Sequence, residues 1–446
     1  MSALAYTIGS AILCVLAYLF DAACGWMIIP GITLLLCVSK KEGAYRLSHV
    51  VCWGTIYWGV LYAPLAQVII DHGQGTLRLA AYFFLLAYQL CILVVFFGVI
   101  RFVLPTRNSL GRLGVASIGI CLYWLYVSLA SFWIFGSITG FCTAIPLVPL
   151  VPYSISCRVI SVIHPLIALN IPVLIATCLA LMITFRQWMV IALISLVIVC
   201  AESMMPRASR QCDWYETIGV IVPQGDRLEP LSDRLQEIVI SQQQLVTKHS
   251  KITTILLPES AVPYCVDQYP WIETLFDPEV TTIFGSFYSN KDSQTNRCFS
   301  SILIARDTRI TKCYDKIKPL PFTEYVPKGW RVIKGLLTLF LNGKNEIEPV
   351  RPLQPSFIYL DHVGPVEPFI CSDLFYDTPV LIRNNSQKIP LLFLVNDSWF
   401  LPLMMPALLR NYGKLIALMV GRPVIYVGYY YQLIISPDGE YKELLK

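Results

Sequence analysis

Charge is scarce in this chain. Asp, Glu, Lys and Arg together make up 14% of its 446 residues and hydrophobic residues 56%, too oily for an ordinary soluble protein, in which charged residues run at about a quarter. The net charge of +5 is modest and no basic run carries interleaved aromatics, which excludes a nucleic-acid-binding reading. No CxxC pair occurs. Cysteines number 15, but most lie inside apolar stretches. The rest (Cys212, Cys265, Cys298, Cys313 and Cys371) form an odd set, arguing against a metal site or a complete disulfide framework. The N-terminus lacks a basic n-region, so a cleaved signal peptide is not expected. No ladder of charges crosses the apolar stretches, which counts against a transporter.

What is present divides at about Met205. Apolar stretches long enough to cross a bilayer fall at roughly 3–20, 22–38, 48–70, 79–104, 113–137, 161–184 and 187–205. The first two are short and close enough to read as a helical hairpin. Lys40, Lys41, Arg46, Arg101, Arg107, Arg112 and Arg186 lie in one set of connecting loops, and the alternate set carries only Arg78 and Arg158. The positive-inside rule puts the richer set in the cytoplasm, so seven spans leave everything after Met205 on the other side. One span more or fewer reverses that. The proline-rich run from Phe141 to Arg158, which reads as re-entrant or interfacial, decides the count. His164, followed by Pro165, reads as a capping or headgroup-facing residue ahead of an intramembrane functional one.

Residues 1–205 are thus expected to be a polytopic α-helical membrane domain, 206–216 a linker and 217–446 a globular domain. In the last, strand-like runs (217–222, 253–257, 281–287, 299–305, 311–316, 357–360, 368–371, 390–395, 424–428 and 431–435) are interspersed with helical patterns at 231–247 and 404–420, which makes it a layered α/β domain. Pro437-Asp438-Gly439 is a turn signal. Lys328 to Leu341 leads with basic residues into an apolar segment. It reads equally as an arm dipping into lipid headgroups and as a buried helix or loop.

The chemistry gathers at Phe369-Ile370-Cys371-Ser372-Asp373, where an apolar run ends on a thiol. A reactive thiol needs a carboxylate to take its proton and a cation to steady charge on the substrate oxygen. Upstream, Thr253–Leu257 runs into Pro258-Glu259-Ser260, and Tyr314-Asp315-Lys316 precedes Pro321-Phe322-Thr323-Glu324-Tyr325-Val326-Pro327. A lone cysteine is usually an inert small hydrophobe. Glu259, Lys316 and Cys371 on three successive strand ends are the nitrilase pattern.

These motifs, with Asn396-Asp397, Trp399-Phe400 and Gly421-Arg422-Pro423, together with the apolar half before them, resemble the apolipoprotein N-acyltransferase family of the carbon-nitrogen hydrolase superfamily. The resemblance implies a nitrilase-like αββα sandwich behind about seven transmembrane helices, in the bacterial inner membrane with the catalytic domain on the periplasmic side. It implies that Cys371 takes a fatty acyl chain from a phospholipid as a thioester. Glu259 would be the general base, Lys316 the oxyanion stabiliser, and Glu324 the residue that orients both. Ser372, Asp373, Asn396 and Trp399 would contact substrate. The acyl chain would pass to the α-amine of a diacylglyceryl-modified N-terminal cysteine of a lipoprotein, without metal or organic cofactor.

The sequence departs from the family's pattern at several positions. Ser372-Asp373 stand where the family has Tyr-Glu, Thr323 and Leu401 where it has glycines, and Leu408-Leu409 where it has Gln-His. No apolar span follows the globular half before Lys446. These departures favour a second reading, a membrane-anchored nitrilase-like amidase or hydrolase with a different acceptor. A third, a non-enzymatic scaffold, is disfavoured by the retention of Glu259, Lys316 and Cys371 together.

Overall fold

The structure, a computed structural model, describes residues 3–19, 27–41, 47–63, 78–103, 109–130, 171–184, 213–223, 230–266, 269–289, 298–317, 319, 357–373, 389–398 and 405–446. The expected segment 187–205, the run 141–158, His164, Glu324, the arm 328–341 and Trp399 lie outside these. The chain divides into two compact units, one of residues 1–207 with 400–415 and the other of 208–399 with 416–446.

The first unit holds six described helices, α1 (Ala3–Leu19), α2 (Ile28–Lys41), α3 (Leu47–Leu61), α4 (Arg78–Val103), α5 (Ser109–Ala130) and α6 (Ile171–Thr184). They fall on six of the seven expected apolar stretches. Polar groups join them internally. The Trp53 Nε1–H donates to Ser10 Oγ at 3.1 Å, Ser10 Oγ–H to the Gly31 carbonyl at 2.6 Å, Gln89 Nε2–H to the Tyr62 hydroxyl at 2.8 Å and Trp58 Nε1–H to the Tyr123 hydroxyl at 2.8 Å. Large apolar side chains lie inside, among them Ile32, Leu36, Trp58 and Leu93, and others face outward, among them Leu4, Ile12, Phe83, Val95, Ile118 and Leu174. Among the described residues, no helix is long and apolar enough to cross a membrane.

The second unit is built on two six-stranded sheets. The first comprises β1 (Ile218–Val220), β2 (Thr254–Leu256), β3 (Val262–Cys265), β4 (Thr281–Ser289), β5 (Cys298–Arg306) and β6 (Arg309–Asp315), in the order β1-β2-β4-β5-β6, with β3 also on β4. The second comprises β7 (Ile358–Leu360), β8 (Gly364–Ile370), β9 (Leu391–Leu394), β10 (Val424–Val427), β11 (Gln432–Ile435) and β12 (Tyr441–Glu443), ordered β12-β11-β10-β9-β8-β7. Each has a parallel centre, β1-β2-β4 in one and β8-β9-β10 in the other.

Alternate residues of each strand meet between the sheets, with Val220, Leu256, Ile283 and Ile302 on one side and Ile370, Leu394, Ile425 and Ile434 on the other. The opposite face of the first sheet, with Ile255, Leu257, Phe284 and Leu303, packs on helix α7 (Leu231–Lys248) through Leu235, Ile238 and Leu245. The other face of the second sheet is buried as well, through Leu391, Phe393, Val424 and Tyr426. Helix α8 (Met405–Val420) leads into β10.

The last strand closes one corner. Leu444 N–H donates to the Gln432 carbonyl in the second sheet at 3.0 Å, and the next residue's carbonyl, Leu445 O, accepts from Val220 N–H in the first at 2.8 Å. β3, with Pro263 in it, and β12, exposed along its length, are the strands that the sequence pattern does not mark.

Candidate active site

Strand direction brings the expected groups to one edge. β2 runs parallel to β4, and two antiparallel steps, β4 to β5 and β5 to β6, restore that direction in β6. Glu259 after β2 and Lys316 after β6 therefore emerge at the same end of the first sheet, at strand carboxyl ends, where α/β sheets place ligands. In the second sheet Cys371 follows β8 and Asn396 follows β9, two parallel neighbours paired Ile370 to Leu394.

Lys316 Nζ donates to Glu259 Oε1 at 2.9 Å, and the backbone N–H of Asn396 donates to Glu259 Oε2 at 3.2 Å. The lysine is 1% exposed and the glutamate 5%. Cys371 is only partly buried, and its N–H donates to the Leu394 carbonyl at 2.8 Å. Its φ is +44°, a left-handed conformation uncommon for a side chain other than glycine. Such strain at a strand end persists only where the surroundings hold it and is concentrated at functional sites. Cys371 thus sits on an elbow between β8 and the helical residues Ser372 and Asp373. By contrast, burial pushes the Cys313 thiol up to about 11, which leaves it protonated and unreactive at neutral pH.

The remaining expected residues are placed differently from one another. Ser372 and Asp373 are fully buried. Asp373 Oδ2 accepts from the Tyr314 hydroxyl at 2.9 Å and from the Ile317 N–H at 3.3 Å. Asn396 contributes its backbone to Glu259, while its side-chain oxygen accepts from Ser398 at 2.9 Å. Gly285 is the site residue that the sequence reading passed over. An ideal Cβ there would stand 2.6 Å from Glu259 Cα, and a lone glycine within the apolar run Thr282-Ile283-Phe284 onward was the available signal of a close backbone approach.

Asp397 supports the next layer of the site. Its Oδ1 accepts from the N–H of Tyr429 at 2.6 Å and of Tyr430 at 3.4 Å, and the Tyr429 hydroxyl reaches back to the Ser260 carbonyl at 3.4 Å. Burial pushes the Asp397 carboxyl up to about 6, despite the backbone donors that favour its charge. A raised carboxyl binds its proton more tightly folded than unfolded. Its stabilising contribution is complete below the unfolded value near 4 and is lost as pH rises through about 6. Asp397→Asn is therefore expected to gain on the wild type by about 2 kcal/mol between pH 4 and pH 7, at about 1.4 kcal/mol per pKa unit. Paired denaturant titrations across that range check it, and a constant difference between the two proteins would refute it.

No protein-family model and no curated protein matches the chain. Among solved structures it is similar to Nit3 of Saccharomyces cerevisiae, a member of branch 10 of the nitrilase superfamily, at 13% identity and a TM-score of 0.36, over 50% of this chain and 84% of that one. It is similar to a carbon-nitrogen hydrolase from Helicobacter pylori G27 at 14% identity and a TM-score of 0.35, over 51% and 85% of the two chains. An amidase of the nitrilase superfamily from Nesterenkonia AN1 gives 12% identity and a TM-score of 0.37, over 54% and 88%.

Proposed function

We propose that the chain is a cysteine-nucleophile enzyme of the carbon-nitrogen hydrolase type and, within that class, an N-acyltransferase working at a membrane. The buried Glu259–Lys316 pair at the strand ends, joined through Asn396 N–H to the strand beside the Cys371 elbow, is the observation that carries the reading. A carboxylate and an ammonium taken out of water together are costly to keep for stability alone. Next to the strand end that carries a strained, partly exposed thiol, they would supply a base and an oxyanion partner.

In the first half-reaction Glu259 takes the Cys371 proton and the sulfur attacks an ester carbonyl of a phospholipid. The C–S bond forms, Lys316 steadies the charge on the carbonyl oxygen, the ester C–O bond breaks, and the leaving alkoxide takes the proton from Glu259. In the second, an amine attacks the thioester, its proton passes to Glu259, the C–N bond forms and the C–S bond breaks. The thiolate regains its proton. The acceptor in this reading is the α-amine of a diacylglyceryl-cysteine at the N-terminus of a lipoprotein. Hydrogen-bonded polar groups between the helices of the first unit, with Phe83, Val95 and Ile118 facing outward, support a bilayer around it. The inner-membrane location, with the catalytic half on the periplasmic side, belongs to the same proposal, as do substrate contacts by Trp399 and orientation by Glu324.

A second reading, an amidase or hydrolase with water or a small amine as acceptor, is favoured by Ser372. It is fully buried and stands next to Cys371 in the chain where the resemblance expects an aromatic residue. Intact-mass spectrometry of the full chain incubated with phospholipid separates the two. A fatty-acyl increment that maps to the Cys371 peptide and is discharged by a diacylglyceryl lipopeptide is expected. Discharge by water alone would support the hydrolase, and no adduct across several phospholipids would sink the lipid reading.

A further inference from the structure

Cys371 and Lys316 directly follow β8 and β6, strands of different sheets, so no backbone ladder sets the distance between them. The apolar side chains between the sheets are non-directional in their attraction and do not by themselves fix one strand end against another to a fraction of an ångström. A polar link crosses the gap at this point. Asp373, two residues past the nucleophile and fully buried, takes the Tyr314 hydroxyl at 2.9 Å and the Ile317 N–H at 3.3 Å on one oxygen. The two donors bracket Lys316 along the chain. On the other side of the link lies the elbow at Cys371, with its φ of +44°, a conformation that must be held from outside.

We propose that Asp373 and Tyr314 form a tie that holds the Cys371 elbow against Lys316, so that both are positioning residues for the covalent step and Asp373 does not touch substrate. The proposal rests on the reading of Cys371 as the nucleophile. Reacting groups displaced by about 1 Å lose on the order of a hundredfold in rate, and a thiol moved away from a cation loses part of what favours its thiolate. Loosening the tie therefore slows acylation and moves the thiol's titration toward higher pH. The ring of Tyr314, packed in the core between the sheets, keeps its place when only the hydroxyl is removed.

The test is peptide-resolved alkylation of the full chain by iodoacetamide across pH, with Cys313 as internal reference, beside the rate of acyl-adduct formation from phospholipid. Tyr314→Phe is expected to shift the Cys371 pH–rate profile upward and to slow acylation about tenfold, with Cys313 unchanged. Asp373→Ala is expected to do the same more strongly, on the order of a hundredfold. Asp373→Asn, which keeps an oxygen for both donors, is expected to stay within a few-fold of wild type. A reactive wild-type Cys371 whose profile and rate are unmoved in Tyr314→Phe would overturn the tie and leave the nucleophile standing. Should that variant not fold, the Asp373 pair decides, because an Asn variant as impaired as the Ala variant points to the charge and not the link. A wild-type Cys371 no faster than Cys313, with no adduct, removes the nucleophile and the tie with it.

Discussion

Lys316→Met is expected to stop acyl-adduct formation at Cys371 and to destabilise the protein by about 3–5 kcal/mol. The two effects have one cause. Lys316 is 1% exposed and its ammonium lies 2.9 Å from Glu259 Oε1. Methionine keeps the length of the stem and removes the charge, leaving a buried carboxylate with the Asn396 N–H at 3.2 Å and no cation. For chemistry, loss of one oxyanion donor, the role proposed for Lys316, costs roughly 10²- to 10³-fold. Glu259→Gln is expected to be as inactive. The double variant Glu259→Gln/Lys316→Met is expected to recover much of the stability and none of the activity, because a neutral pair no longer buries a lone charge. Denaturant unfolding at pH 7 and the rate of adduct formation, measured on all four proteins, check both halves. Additive losses in the double variant would mean that the two side chains are not a coupled pair.

Gly285→Ala is expected to be nearly as damaging although it adds one methyl group. The new Cβ would stand 2.6 Å from Glu259 Cα, 3.0 Å from Ser260 N and 3.2 Å from Pro258 O. All three are backbone atoms just past the end of β2, so relief requires that the segment carrying Glu259, the proposed base, moves. Overpacking of this kind costs about 1–3 kcal/mol, and a shift of the base approaching 1 Å costs on the order of a hundredfold in rate. Gly219→Ala is the informative contrast. Its Cβ would come as close, 2.6 Å, but to Leu245 Cδ2, with Ile252 Cδ1 next at 3.0 Å. Both are side-chain ends that can turn aside, so stability falls while the rate of adduct formation holds. An equal loss of rate in both variants would show that the damage is general and not local to Glu259.

The groups of the candidate site were legible because each is punctuated locally. A β-rich run stops at Pro258-Glu259, another at Lys316 and a third at Cys371, and the structure ends β2, β6 and β8 at or just before those places. Chain order and flanking residues needed no tertiary information. The roles of neighbouring residues were less legible, for a physical reason. Asp373 and Asn396 are polar residues just past the ends of β8 and β9, which reads as substrate contact. In the fold one is buried against Tyr314 and Ile317, and the other acts through its backbone. A side chain's sequence position says nothing about whether its partner is a ligand or a strand of the opposite sheet.

By itself, then, the sequence marked most of the strands and the strand ends at which Glu259, Lys316 and Cys371 stand. Composition, apolar run length and strand-end punctuation are local properties that survive without a fold. Which face of each strand looks inward was decided only in three dimensions. Leu391-Leu392-Phe393-Leu394 is buried on both faces, as strands at a parallel centre are, and such a run carries no alternation to read. Tertiary structure alone also decided that a glycine lies under Glu259, that Leu444 and Leu445 stitch one sheet to the other, and that the aspartate two residues past Cys371 reaches the strand before Lys316. Those are contacts between distant segments, fixed by sheet packing and strand direction, and no local pattern encodes them.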